Sequence, residues 1–279
     1  MYEKGFPVGR VAIICNSERS RARRMSERLK KALTSRGIRV VEDVKEAEAA
    51  VVVGGDGTLL RAFHQLGSLP ILGVRDGTFG TMMELDSEEL DLAVEMLSTG
   101  NFWLEKARTL EVREPEPRIL ALNEFLIRSG KIGKSSKLGI ALDGVPISEC
   151  ICDGVIVATP TGSYAYNLAA NGPVLDPRCD SNVVSYVAPW PPSLRPSLAS
   201  LVIPSFSVVE VWTTSPYLYV VADGLSPVKF RPPLKISGSE VKAIFIRKSP
   251  DPTDFYRRLT RRMMPKVLTG ILHYQKLGL

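Results

Sequence analysis

Two residue types are nearly missing from this chain of 279 residues: histidine occurs twice, and glutamine only at Gln65 and Gln275. With no histidine cluster and no second cysteine pair, no zinc-type ligand spacing is present and no dedicated metal site is expected. Scarce glutamine, a thermolabile residue, points to a thermophilic source. Cysteine is sparse too. Cys15, Cys150, Cys152 and Cys179 suit a reducing compartment. Cys150 and Cys152, two apart on an expected strand, share a face and read as ordinary buried thiols. No apolar run approaches the ~20 residues of a membrane span. The segment Met1 to Arg10 lacks the apolar core of a signal peptide, so a cytoplasmic location without a membrane partner is expected. No low-complexity tract and no internal repeat is found. At 44% hydrophobic and 24% charged residues, the composition is that of a globular protein able to bury one large core or two modest ones.

Charge of one sign is in excess. The net charge is +6, concentrated in Arg19 to Lys31 and Arg257 to Lys266. Both segments have helical spacing and read as solvated helix faces, though a basic field also suits polyphosphate substrates. No nucleic-acid-binding motif accompanies the charge, so nucleic acid is not an expected partner.

The stretch richest in information is Ala49-Ala50-Val51-Val52-Val53-Gly54-Gly55-Asp56-Gly57-Thr58. A short apolar, β-branched run predicts a buried strand, and it stops in three glycines around one carboxylate. Glycine lets the backbone approach a ligand closely. Thr58 is a candidate cap for a helix from about Leu59, whose amides would face an anion. The phosphate-loop lysine is missing, and an aspartate stands where phosphate should approach. A carboxylate there must hold a metal or accept a proton, which makes Asp56 the first candidate for chemistry.

Taken in order, the first hundred residues alternate. Strands are predicted over Val11 to Cys15, Ile38 to Val41, Ala49 to Val53 and Pro70 to Val74. Between them lie helices over about Ala22 to Leu33, with Asn16 or Ser17 as cap, and over Leu59 to Leu66; Ser87 then caps a helix Glu88 to Leu97 closed by Gly100. Such alternation implies βαβ units, a parallel sheet, and ligands beyond the carboxyl ends of its strands. That edge carries both the Gly54 turn and a second turn, Arg75-Asp76-Gly77-Thr78-Phe79-Gly80. From about Asn101 strand-like runs dominate, from Leu110 to Arg113 through Ile119 to Ile127 to Val241 to Ile246, with Asp143-Gly144 and Asp223-Gly224 as hairpin signals. Prolines from Pro189 to Pro204 suggest an irregular crossing. The expected architecture is an α/β N-terminal domain with a parallel, Rossmann-like or phosphofructokinase-like sheet (residues 1–100), plus an all-β sandwich-type C-terminal domain (101–247). A tail of about 248–279 returns to the first domain.

Two further segments carry polar chemistry. Asp153-Gly154 leads through an apolar strand into Thr159-Pro160-Thr161-Gly162-Ser163-Tyr164-Ala165-Tyr166. This predicts a helix near Tyr164 to Ala170, and either a ligand-facing N-terminus or a plain strand-to-helix turn capped by Thr161 or Ser163. Asn123 and Glu124 interrupt an apolar strand, where they are costly unless partnered or on a solvated edge.

Together, Gly54-Gly55-Asp56-Gly57-Thr58, Asn123-Glu124, and Asp153-Gly154 with Thr159 to Ser163 and Tyr166 resemble the signature set of NAD kinases along nearly the whole chain. A divergent member of archaeal or thermophilic kind is indicated. The resemblance implies ATP-dependent phosphorylation of the adenosine-ribose 2′-hydroxyl of NAD, giving NADP. Asp56 matches the family's proton acceptor, and Gly54, Gly55, Gly57 and Thr58 the loop around dinucleotide and triphosphate. Arg61 is placed within reach of a phosphate. Asn123 and Glu124 would hold adenine and ribose groups. Asp153, Thr161, Ser163, Tyr164, Ala165, Tyr166, Asn167, Leu168 and Ala169 would line the dinucleotide pocket. Mg²⁺ would accompany ATP, polyphosphate being another donor, and a homo-oligomer, dimer or tetramer, is implied.

Some positions depart from the family pattern. Tyr164 replaces a threonine, Asn171 a glycine, Arg75 a small polar residue and Pro192, in Pro191 to Pro196, a histidine. Arg75 is either a phosphate contact or a surface charge. These departures bear on NAD against NADH as acceptor. The glycine loop alone also fits lipid kinases of the diacylglycerol-kinase type, and the departures keep a non-catalytic nucleotide sensor in view.

Overall fold

The computed structural model of the chain describes residues 2–77, 80–113, 116, 118–130, 134–190 and 199–263, of which 261–263 by backbone alone. The chain divides into two compact units, one formed by residues up to 106 with those from 243 onward, the other by residues 107–242.

The first unit opens with β1 (Tyr2–Lys4), β2 (Arg10–Cys15), α1 (Ser20–Ser35), β3 (Arg39–Val41), β4 (Ala49–Gly54), α2 (Asp56–Leu66), β5 (Ile71–Arg75), α3 (Leu90–Thr99) and β6 (Trp103–Ala107). Helix α1 forms because Ala22, Met25, Leu29 and Leu33 recur on one face and are buried, while Arg21, Arg23, Arg24, Arg28, Lys30 and Lys31 stay exposed. The solvated-face reading of this basic segment therefore holds. The helix takes Arg19 as its N-cap rather than Asn16 or Ser17, with no side-chain cap; Asn16 instead accepts from the Glu18 amide at 3.2 Å. Helix α3 starts at Leu90, without a Ser87 cap, and stops at Gly100, whose φ of 72° suits glycine.

The second unit holds β7 (Leu110–Val112), β8 (Ile119–Ala121), β9 (Glu124–Ser129), β10 (Ser136–Leu142), β11 (Val145–Cys152), β12 (Gly154–Ala158), α4 (Tyr166–Ala169), β13 (Ser181–Val187), β14 (Ser200–Pro204), β15 (Val209–Trp212), β16 (Leu218–Ala222), β17 (Val228–Phe230) and β18 (Leu234–Gly238). Two antiparallel six-stranded sheets, β11-β10-β15-β18-β7-β8 and β14-β13-β12-β9-β16-β17, enclose one apolar core. Phe125, Ile127, Val155, Val157 and Val220 meet Leu138, Ile140, Val211, Leu234 and Ile236 there, a sandwich built on alternation. The β10–β11 hairpin turns on Asp143 and Gly144, both at positive φ, as predicted. Proline does not keep 200–204 irregular: β14 is an edge strand, with Pro204 at its end opposite Ser181.

The chain then returns to the first unit as β19 (Ala243–Arg247) and α5 (Asp254–Met263). Its seven-stranded sheet runs β1-β6-β19-β5-β4-β2-β3, parallel across β3-β2-β4-β5-β19. The run read in sequence as one more strand of the β-rich half, Val241 to Ile246, thus lies beside β5 instead, because five apolar residues carry no mark of which sheet they join. Residues 264–279 of the expected tail and Pro191 to Pro196 lie outside the described residues. Among the described residues, no helix is long and apolar enough to cross a membrane.

Candidate active site

Strand β4 is buried along its whole length near the middle of the parallel sheet. It ends at Gly54, where a Cβ would lie 2.5 Å from Thr58 Oγ1 and 2.7 Å from Thr58 Cβ. The missing side chain lets the first helical turn fold back on the strand end, so the packing of Thr58 requires this glycine. Helix α2 begins at Asp56 with Gly55 as its N-cap, three residues before the predicted start. Thr58 lies inside the first turn, its amide donating to the Gly55 carbonyl at 2.9 Å. Glycine and aspartate are poor helix formers, which hid this start; the strand end and the next loop hold it. Asp56 consequently sits at the positive end of the helix dipole, worth about 0.3–1 kcal/mol to an anion.

Both carboxylate oxygens of Asp56 are engaged. Oδ2 accepts from the Thr81 amide and the Thr81 hydroxyl, each at 2.9 Å, and Oδ1 accepts from the Met82 amide at 3.0 Å. A carboxylate has about four acceptor positions; with three taken, its orientation is set and one lone pair remains for a substrate proton. The second turn is tied to the first, the Asp76 amide donating to the Gly54 carbonyl at 3.0 Å. Asp76 is buried, with Arg19 Nη1 3.5 Å from its Oδ1 and no partner for Oδ2 among the described residues. Arg75 is not a surface charge: it is buried, pairs with Asp86 and reaches the Gly80 carbonyl. Thr78 and Phe79 lie outside the described residues. Arg61 is exposed one turn past Gly57.

In the second unit, the strand predicted over Ile119 to Ile127 is two, β8 and β9, broken at Leu122-Asn123. One side chain holds the break. The Asp223 carboxylate accepts from the amides of Leu122 at 2.8 Å, Asn123 at 2.7 Å and Glu124 at 3.2 Å. Asn123 and Glu124 are both buried, which rules out the solvated edge. Asn123 Oδ1 has no partner among the described residues; an unpaired buried acceptor costs about 1–3 kcal/mol, and a ligand donor would remove that cost.

The Thr159 to Ser163 segment is folded onto this break. Thr159 Oγ1 donates to the Leu122 carbonyl at 2.7 Å and accepts from the Gly162 amide at 3.0 Å. At Gly162 a Cβ would stand 2.0 Å from the Asn123 carbonyl oxygen, so only glycine fits. Ser163 Oγ donates to the Pro160 carbonyl at 2.7 Å and accepts from the Leu175 amide at 2.9 Å. Asn167 donates to the Ser163 and Pro173 carbonyls at 3.0 Å each and accepts from Ser185 Oγ at 2.7 Å. The predicted helix is a single turn, α4, behind Ala165 with no side-chain cap. Thr161 and Ser163 therefore cap nothing, and the ligand-facing helix N-terminus is corrected: the hydroxyls build the loop. Thr161 and Tyr164 are buried, Ala165 and Leu168 half-buried, Tyr166 and Ala169 exposed. Asp153 is half-buried and accepts from Ser135 Oγ at 2.7 Å. Asn171 adopts a φ of 62°, which explains why it can replace glycine. Of the cysteines, Cys152 is buried and its thiol pKa is pushed up by that burial, while Cys179 is exposed.

Sequence reasoning missed Asp223, Thr81 and Met82. The Asp223-Gly224 pair was visible as a turn, and nothing local marks its carboxylate as reaching residues about a hundred positions earlier. Among the described residues, no group of three or more histidines, cysteines or acids could hold a metal ion.

Comparison with known proteins gives a consistent answer. Residues 42–102 match the model of the ATP-NAD kinase N-terminal domain and residues 122–248 that of the ATP-NAD kinase C-terminal domain. The chain is 30% identical to an NAD kinase of Methanothermobacter thermautotrophicus, over 91% of this chain and 96% of the relative. It is 32% identical to one of Pyrococcus abyssi, over 92% and 96%. Among solved structures, an NAD kinase from Archaeoglobus fulgidus in complex with ATP superimposes with a TM-score of 0.78 at 27% identity, covering 91% of this chain and 98% of that one. A yeast NADH kinase complexed with NADH shares the fold, with a TM-score of 0.81 at 20% identity over 94% and 89%.

Proposed function

The chain belongs to the NAD kinase family, and from that premise we propose which of its residues carry out the phosphorylation of NAD to NADP with ATP. Asp56 is the base. It takes the proton of the adenosine-ribose 2′-hydroxyl as that oxygen bonds to the γ-phosphorus of ATP; the bond to the β–γ bridging oxygen breaks and ADP leaves. Phosphoryl transfer asks mainly for positioning and charge neutralisation. Mg²⁺ enters with ATP as part of the substrate and neutralises the phosphates. The observation that carries this reading is the Asp56 carboxylate at a helix start, oriented by three donors with one lone pair left.

The α2 amides and Arg61 take phosphate oxygens. Asn123 and Glu124 take the adenine and ribose donors, a role supported by the partnerless Asn123 Oδ1. Asp153 and the segment Thr161 to Ala169 line the dinucleotide pocket. A homo-oligomer, dimer or tetramer, in the cytoplasm completes the reading. Light scattering that finds a monomer at assay concentration ends the oligomer part.

The test is a donor-by-acceptor screen of ATP and polyphosphate, with Mg²⁺, against NAD and NADH. ATP with NAD should give NADP, and omission of Mg²⁺ should abolish it. A wild type that binds NAD without forming NADP under any combination is a sensor and overturns the assignment.

A further inference from the structure

One buried ion cluster of the first unit is not absorbed by this reading. Arg247 closes β19 with its side chain only 6% exposed. Its Nη1 donates to the Met82 carbonyl at 2.9 Å and lies 3.3 Å from Glu84 Oε2, its Nε donates to Glu105 Oε2 at 2.6 Å, and its guanidinium stacks on the Phe245 ring. Glu84 is further held by Arg258 and by the Lys248 amide.

A cluster of this kind is an expensive way to stabilise a strand. Taking two carboxylates and a guanidinium out of water costs several kcal/mol per ion, and well-packed apolar residues often do as well or better. β19 already has the backbone pairing of Phe245 with Ile71 and the fully buried Ile246. What the cluster provides in addition is a fixed carbonyl. Met82 lies in a segment without helix or strand, yet it is gripped on both sides of its Cα: its carbonyl by Arg247, its amide by Asp56. The neighbouring Thr81 supplies the other two donors to the same carboxylate.

We propose that Arg247 is a positioning residue for phosphoryl transfer, fixing Met82 and with it the Thr81–Met82 cradle that aims the Asp56 carboxylate. The inference rests on Asp56 as the base. Arg247 touches no substrate. Misplacing a reacting group by about 1 Å costs on the order of 100-fold in rate, so a cradle without its anchor lowers kcat and leaves substrate affinity nearly alone.

The experiment uses the full chain. Arg247→Met combined with Glu105→Gln removes the guanidinium together with one of its carboxylates, so no uncompensated pair is created and the methionine still covers Phe245. Thermal unfolding should remain cooperative with a midpoint near wild type, the relief of ion burial offsetting the lost bond to the Met82 carbonyl, while kcat falls roughly 10- to 100-fold and the KM values for NAD and ATP change less than about threefold. Arg247→Lys, which keeps the charge but lacks the planar fork to reach Glu105 and Met82 at once, should lose kcat in the same direction. Thr81→Val removes one Asp56 donor; it should cost less in the Arg247→Met/Glu105→Gln background than in wild type, because both changes act on one carboxylate. A folded variant with wild-type kcat overturns the proposal, as does a Thr81→Val effect that multiplies independently. If the paired variant fails to fold, Arg247→Lys decides, and an unchanged kcat in that variant is equally fatal. Asp56→Asn separates the two levels. If it keeps its rate, the base assignment fails; if it loses its rate while the Arg247 variants keep theirs, only this inference fails.

Discussion

Asp223→Asn is the sharpest perturbation of the second unit, since the replacement is nearly isosteric and exchanges one charged acceptor oxygen for a neutral NH₂ donor. The carboxylate holds three backbone amides at the β8–β9 break. An amide side chain has one oxygen. Placed at the Oδ1 position, it still accepts from Asn123 and Glu124, but its NH₂ then faces the Leu122 amide, donor against donor. One buried amide is thereby left unpaired, a cost of about 1–3 kcal/mol. The two surviving bonds lose their charge assistance, which roughly halves them and adds about 1 kcal/mol. The expected destabilisation is about 2–4 kcal/mol, read as a lower urea midpoint at unchanged slope. Because the break presents Asn123 and Glu124, NAD binding should weaken together with stability, by at least about tenfold, the equivalent of 1.4 kcal/mol. A midpoint and an NAD affinity both indistinguishable from wild type would refute the claim that Asp223 builds the site.

Gly162→Ala places a methyl 2.0 Å from the Asn123 carbonyl oxygen, which is backbone and cannot swing away. It should raise the KM for NAD more than tenfold, with the KM for ATP little changed; an ordinary KM for NAD contradicts the packing account. Acid stability offers another check. Burial drives the Glu105 carboxyl up, but Arg247 with its hydrogen bond, helped by Arg258, outweighs it and holds the group below its ordinary 4.5. A depressed carboxyl adds stability above its ordinary pKa and loses it as pH falls through the depressed value. Glu105→Gln should therefore flatten the decline of the unfolding midpoint below about pH 4.5, whereas parallel declines would count against the ion pair.

Much of the scaffold is legible because its signals are local. Val51 to Val53 running into Gly54 marks a buried strand and its turn, Ala22 to Leu33 repeats at helical spacing, Gly100 ends a helix and Asp143-Gly144 turns a hairpin. What escapes is what depends on distant partners. Asp56 as the first residue of α2 owes its place to Thr81 and Met82, in a loop with no periodicity. Thr161 and Ser163 look like caps, yet α4 is a single turn behind Ala165 with no side-chain cap, and the Ser163 hydroxyl is taken by the Pro160 carbonyl. Whether β19 joins the parallel sheet or the sandwich is decided by its neighbours and not by its four apolar residues. Arg75, a charge beside a glycine turn, reads equally well as a surface charge until its burial against Asp86 is seen. The Asp223 and Arg247 contacts join residues about 100 and 165 positions apart, beyond any spacing rule.

The central claim is that Asp56 is the base for transfer to the 2′-hydroxyl of NAD. Its most direct test is single-turnover NADP formation from ATP, Mg²⁺ and NAD by wild type and by Asp56→Asn, with NAD affinity measured on both. The asparagine oxygen can still accept from both Thr81 donors while its NH₂ turns to the Met82 amide, which costs stability; with the protein still folded, NAD affinity should remain within about threefold, while the rate falls by roughly 10²–10⁴, the usual worth of a general base. An Asp56→Asn enzyme that forms NADP at a near-wild-type rate would contradict the account.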